Sequence, residues 1–237
     1  MAKRLACENG YYDDGAGNCI PKKRLLENEA KKYTSAKEFI GRIEASPIKK
    51  GDTIIARVYH GTPDGRFCEE FQPKKKGYFK NDPDAIADNT VYEELHGKGS
   101  VCGGFKKEND DIRIGRENQG IFFTDDYVVA ASYADDKNAF DYQNAVPMVV
   151  KRYVKLDNPK VIDMMGKTWR GTYEAIETAR REGYDGVIIK NVRDIYSKLE
   201  GRFKDYQKPA TSYIVFNERQ ILTKDQLIEI WKKAHRK

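Results

Sequence analysis

Long apolar runs are missing from this 237-residue chain. No segment approaches the roughly 20 apolar residues that a membrane-spanning helix needs. The opening "MAKRLACENG" lacks the apolar core of a secretory leader. A soluble cytoplasmic chain with no membrane partner is therefore expected. Histidine is scarce, with only His60, His96 and His235, and the four cysteines, Cys7, Cys19, Cys68 and Cys102, form no C-x-x-C pair. A zinc site wants such close pairs, so none is expected. The cysteines read as free thiols in a reducing compartment; a Cys7–Cys19 bridge closing "CENGYYDDGAGNC" is the alternative in an oxidising one. The "DDGAGN" stretch lacks the later glutamate of a calcium-binding loop and reads as a turn. Charge of one sign is also lacking. Basic and acidic residues nearly balance, and a net charge of +6 permits a nucleic-acid or acidic partner without demanding one.

What is present suits a folded enzyme-sized domain. Apolar residues make up 39% and aromatics 11% of the chain, enough for a core. Residues 1–50 read as a Cys/Gly-rich loop followed by a helical appendage. Ser35 and Glu38 have capping-box spacing, and Phe39, Ile40 and Ile43 form one apolar stripe, so this helix packs on the main domain or on a partner. From residue 51 to 237 the pattern is that of one mixed domain. "TIIARVYH" alternates, placing Ile54, Ala56, Val58 and His60 on one inward face. A long irregular stretch from Thr62 to Gln119 follows, of a length usually kept for functional or mobile loops.

The second half alternates strands and helices. "GIFFTDDYVVAASYA" reads as a strand, a break capped by Thr124, and a small-residue helix over Asp125–Ala134. "AVPMVVKRYVKL" is a strand with Met148, Val150, Val154 and Leu156 on one face. "TYEAIETARREG" is a helix stopped by Gly183. "DGVIIK" and "SYIVF" are strands, and Thr223 with Gln226 opens a terminal helix. Short strands with scattered helices argue an α+β fold.

Taken in order, the "YHGT" around His60, the "GIFFT" strand, "GYDGVI" and "VFNERQI" resemble the ADP-ribosyltransferases of the diphtheria-toxin and poly-ADP-ribose-polymerase branch. They look most like the small domains of that kind in phage and mobile-element polyvalent proteins. The resemblance covers Ile54 to Leu222. It implies a mixed, split β-sheet with flanking helices and use of NAD as substrate without a metal. It also implies transfer of ADP-ribose to a macromolecular acceptor, such as a host protein, in the cytoplasm of a bacterial host. A toxin-like host modification by a bacteriophage protein fits that picture.

The resemblance assigns roles by position. His60 matches the histidine that hydrogen-bonds the adenosine-ribose 2′-hydroxyl of NAD. Gly61 matches the glycine whose backbone meets the nicotinamide amide, with Thr62 beside it. Phe122 and Tyr133 match the two rings that sandwich nicotinamide, a role for which a phenylalanine face suffices. The position of the catalytic glutamate, at the head of the late strand, is held by Ser212. A serine positions ribose but brings no negative charge, so single transfer rather than polymer formation is implied. Glu174, Glu177, Asp185 and Glu218 are alternative acids, each also readable as a solvated helix or turn charge. Arg113 and Arg116 are candidates for a pyrophosphate. Trp169 and Trp231 read as core or docking anchors.

Other readings of the same residues stay open. Taken singly, His60, Phe122 and Tyr133 are ordinary core residues. A non-catalytic NAD or ADP-ribose binder would also lack the glutamate. RNA 2′-phosphotransferases share the implied fold and surround the histidine with arginines, and Arg57 and Arg66 flank His60.

Overall fold

The computed structural model describes residues 11–13, 19–21, 24–62, 120–134, 148–168, 172–194 and 208–236. Thus Cys7, Cys68, Cys102, His96, Arg66, Arg113, Arg116 and Trp169 lie outside the described residues, as does nearly all of the long irregular stretch.

The chain is α+β. A short hairpin, β1 (Tyr11–Asp13) with β2 (Cys19–Pro21), flanks the expected turn. Cys19 is disulfide-bonded, which corrects the free-thiol expectation at that position. Two helices follow, α1 (Leu25–Ala30) and α2 (Ala36–Ala45), and then β3 (Ile48–Lys50) and β4 (Thr53–Thr62). The remaining elements are β5 (Ile121–Thr124), α3 (Tyr127–Ala134), β6 (Met148–Leu156), β7 (Pro159–Asp163) and α4 (Thr172–Arg181). After them come β8 (Gly186–Val192), β9 (Ala210–Val215), β10 (Ile221–Leu222) and α5 (Lys224–His235).

Eight strands form one mixed sheet. Its order is β10-β6-β4-β5-β9-β8-β7, with β3 paired to the start of β4. Among the described strands β7 and β8 run parallel and the other pairings are antiparallel. The sheet curls on itself. Its second strand, β6, passes to its last, β7, through residues 157–158, and Asp185 before β8 accepts hydrogen bonds from the backbone N–H groups of Asp157 (2.6 Å) and Asn158 (2.9 Å). At the same place Gly186 lies so close to Leu156 that a Cβ there would sit 2.6 Å from Cδ2. The face inside the curl buries Ile54, Ala56, Val58, Phe123, Val154, Leu156, Ile188, Tyr213 and Val215. Alternation along β4, β5 and β9 puts these residues inward.

Helices cover the other face. α1, α2 and α5 share one core with Ile55 and Tyr153 of the sheet, and Trp231 of α5 donates its indole N–H to the Tyr33 carbonyl (3.1 Å). The helices over residues 25–45 are therefore packed into the main domain. α3 covers Tyr59 and Val149, and α4 covers Val187, Ile189 and Ile214.

Local signals explain several ends. Thr223 and Gln226 close a reciprocal capping box. Ser35 caps α2 by accepting from the Glu38 N–H (3.2 Å), but Glu38 turns back to the N–H and hydroxyl of Thr34 instead of completing the box. Gly183 has φ 81°, and the N–H groups of Gly183 and Tyr184 bond to the Arg180 and Ala179 carbonyls, the glycine stop expected of α4.

A candidate ligand site at the split between β4 and β5

The site begins with a defect in the sheet. β4 pairs with β6 from Ile54 to Thr62, yet it meets β5 through one residue pair, Tyr59 with Thr124. Beyond that pair the strands part, where His60, Gly61 and Thr62 would otherwise face Phe123, Phe122 and Ile121. The pairing row continues from Thr124 to Ser212 of β9 and from Ser212 to Ile189 of β8. His60, Phe122 and Ser212 thus lie within two residues of one row. Strand spacing puts β4 and β9 roughly 10 Å apart there.

His60 is held in a defined state. Its Nδ1 lies 2.7 Å from the carbonyl oxygen of Phe122, across the split, and its ring meets Phe123 edge-on at 5.7 Å. A carbonyl can only accept, so Nδ1 carries the proton. Burial pushes the imidazole pKa down; the Phe122 carbonyl opposes this, and the like charge of Arg152 adds to it. The result is a neutral ring whose Nε2 is a hydrogen-bond acceptor. Arg152 itself is 2% exposed and pairs with Val58, on the same inward face as His60.

Gly61 has a packing reason to be glycine. A Cβ there would overlap the carbonyl oxygen of Ala130 in α3. The helix comes this near because its inner face is small: Ala130, Ala131, Ser132 and Ala134 are all buried. Its start differs from the sequence expectation. Asp126, rather than Thr124, accepts from the helix N–H groups, Val128 at 2.8 Å and Val129 at 3.3 Å, while Thr124 accepts from Asp126 N–H. The helix runs from Tyr127, because Asp125 is used elsewhere: it exchanges two hydrogen bonds with Thr211 and staples β5 to β9. Thr62 is the last residue of β4.

At the far end of α3, Tyr133 meets an acid that sequence reasoning passed over. Its hydroxyl donates to Oδ1 of Asp194, and the Ser212 hydroxyl donates to Oδ2 of the same carboxylate at 3.2 Å. Asp194 is 9% exposed and Ser212 2%. Asp194 lies two residues past the end of β8, in "KNVRD", and no local pattern distinguishes it from a solvated acid. Of the four acids considered from sequence, the three with described side chains are not at this point. Glu174 and Glu177 are exposed on α4, and Asp185 is engaged in the 157–158 turn. The side chain of Glu218, in a short 3-10 turn, lies outside the described residues.

The structure therefore joins His60 to Phe122 and joins Tyr133 to Ser212 through Asp194. The Phe122 ring packs against the core beneath α4, with Ile176 and Ile214, on the helix side of the sheet. His60 projects from the inward side. The His60–Phe122 carbonyl contact spans the split.

Among the described residues no group of three or more His, Cys, Asp or Glu side chains is placed to hold a metal ion. No described helix is long and apolar enough to cross a membrane. No family model matches the chain, and the comparisons with curated proteins and with solved structures found no match.

Proposed function

We propose that the chain is a mono-ADP-ribosyltransferase that binds NAD at the split between β4 and β5 and transfers ADP-ribose to a macromolecular acceptor, a host protein by preference. The observation that carries this reading is the parted sheet. His60 and Gly61 lie at the end of β4 on this edge, the Phe122 carbonyl bonds the His60 ring across it, and Tyr133 of α3 and Ser212 of β9 share the Asp194 carboxylate. A neutral His60 with Nε2 as acceptor suits a ribose hydroxyl. The Tyr133 ring at the end of α3 offers a flat wall for a nicotinamide ring.

In that reading the glycosidic bond between nicotinamide and the ribose C1′ breaks, and its electron pair leaves with nicotinamide. A lone pair of the acceptor then forms the new bond to C1′, and its proton passes to solvent. The protein contributes by holding the ribose and ring in place and by stabilising positive charge at C1′. No protein nucleophile is required.

One observation favours a second reading. The buried Arg152 cation beside His60 suits a phosphate, as an RNA 2′-phosphotransferase would require. Incubation with NAD labelled in the adenylate, in the presence of bacterial lysate, tests the first reading. Label in protein together with free nicotinamide is expected. Removal of a 2′-phosphate from RNA, without label in protein, would favour the second. Binding without nicotinamide release would leave a non-catalytic NAD binder.

A further inference from the structure

We propose that Asp194 supplies, from the end of β8, the carboxylate that the head of β9 lacks at Ser212. The inference rests on the ADP-ribosyl-transfer reading and names the group that carries its charge. The geometry is the argument. A glutamate at position 212 would place its carboxylate roughly 5 Å from its own Cα, from standard bond lengths. A serine hydroxyl followed by a 3.2 Å hydrogen bond to Oδ2 of Asp194 ends at about the same reach. The chain has thus divided one long acidic side chain into a short hydroxyl on β9 and a short acid on the neighbouring strand's end.

The carboxylate is held from two sides. Tyr133 donates to Oδ1 and Ser212 to Oδ2, so its two oxygens are oriented by groups on α3 and β9. An aspartate has few rotatable bonds, and this one is almost fully buried. Fixed charge in a site shielded from water stabilises a developing cation more strongly than the same charge in solvent. The step it assists is loss of nicotinamide. The C1′–N bond breaks, its electron pair neutralises the departing pyridinium, and C1′ becomes cationic until water or the acceptor attacks and yields a proton to solvent. Asp194 undergoes no bond change. Its negative charge is the contribution, and Tyr133 and Ser212 act as positioning residues for it.

The test compares the full-length wild type with Asp194→Asn, with Ser212→Glu, and with the double variant. Nicotinamide release from NAD, NAD affinity by calorimetry and thermal unfolding are read for each. Asparagine keeps the shape and an acceptor oxygen but removes the charge. Asp194→Asn is expected to bind NAD within about threefold of wild type and to release nicotinamide roughly 100- to 1,000-fold more slowly, the usual loss for one preorganised electrostatic contact. Ser212→Glu alone is expected to be slower than wild type, because two adjacent carboxylates resist joint ionisation. The double variant returns a single carboxylate to the same place and is expected to recover at least tenfold over Asp194→Asn, a rescue that a merely structural aspartate would not give. Two results overturn the proposal while leaving ADP-ribosyl transfer standing. One is an Asp194→Asn enzyme that releases nicotinamide at the wild-type rate. The other is a folded, NAD-binding double variant that stays as slow as Asp194→Asn. A wild type that neither binds NAD nor releases nicotinamide overturns both.

Discussion

Tyr133 does two things that different substitutions separate. Its hydroxyl binds the Asp194 carboxylate, and in the proposed reading its ring is the wall against which nicotinamide lies. Tyr133→Phe keeps the ring and removes a hydrogen bond to an acid, a loss of about 1.5–3 kcal/mol for a charged partner. That loss should appear in unfolding free energy and in turnover, with NAD affinity nearly unchanged. Tyr133→Ala should in addition weaken NAD binding by about 1–3 kcal/mol, the worth of a buried aromatic wall. Calorimetry that found equal affinity losses for the two variants would contradict the ring's role.

His60 gives a pH signature. Its folded pKa lies below the ordinary imidazole value, chiefly through burial. The unfolded chain therefore binds a proton at a higher pH than the folded one. The His60 contribution to stability is fully present above the ordinary imidazole value and is lost as pH falls from there through the depressed folded value. Urea unfolding measured from neutral to mildly acidic pH should show this decline, and His60→Ala should flatten it. A wild-type curve that rises on acidification across that window would contradict the assigned state of the ring.

At the scale of elements, α3 and the end of β4 form one unit. The small inner face of α3 lets Ala130 press against Gly61, and no flexible side chain can yield there because the obstacle is backbone. Gly61→Ala should cost about 1–3 kcal/mol or more of stability, as overpacking does. It should also disturb NAD binding by shifting Tyr133. Chemical unfolding with no change in midpoint would show that α3 is not seated as described. The Asp126 cap is a smaller element-scale contribution. Asp126→Ala should lower stability by about 1 kcal/mol, since two helix N–H groups lose their acceptor.

The elements also show what a sequence can and cannot disclose. Period-two alternation was enough to put His60 on the same face as Val58 and to mark "SYIVF" as buried strand, because alternation is local. The stop at Gly183 and the box at Thr223 were legible for the same reason. The cap of α3 lies at Asp126, two residues after the Thr124 that sequence suggests. Thr124, Asp125 and Asp126 are all capping types, and the choice among them depends on Thr211, which lies far away in sequence and takes up Asp125. The Asp194 contact was invisible on similar grounds. Its partners are Tyr133 and Ser212, 61 and 18 residues away, and nothing local marks an acid after a strand as one that turns inward. At Gly61 the fold shows a packing reason for glycine, the close approach of Ala130, which no local pattern discloses.

At the scale of the whole molecule, the curled sheet explains why one site can draw on distant segments. The turn at residues 157–158 ties the end of β6 to Asp185 and Gly186 at the start of β8, across the three intervening strands of the same sheet. The antiparallel run β4-β5-β9-β8 then lays Tyr59, Thr124, Ser212 and Ile189 in one row. Neither feature follows from composition or from any single motif. Pairing order is a property of the assembled sheet: from Ile54 to Thr62 β4 stays paired with β6, and β5 stays paired with β9, while β4 and β5 share one pair. The central claim is that this parted edge receives NAD, with His60 as an acceptor for it. Calorimetric titration of NAD into the wild type and His60→Ala tests it most directly, with thermal unfolding alongside. The account predicts one site in the wild type and at least a tenfold weaker one in a folded His60→Ala variant. Equal affinity in the two proteins, or no binding by the wild type, would contradict it.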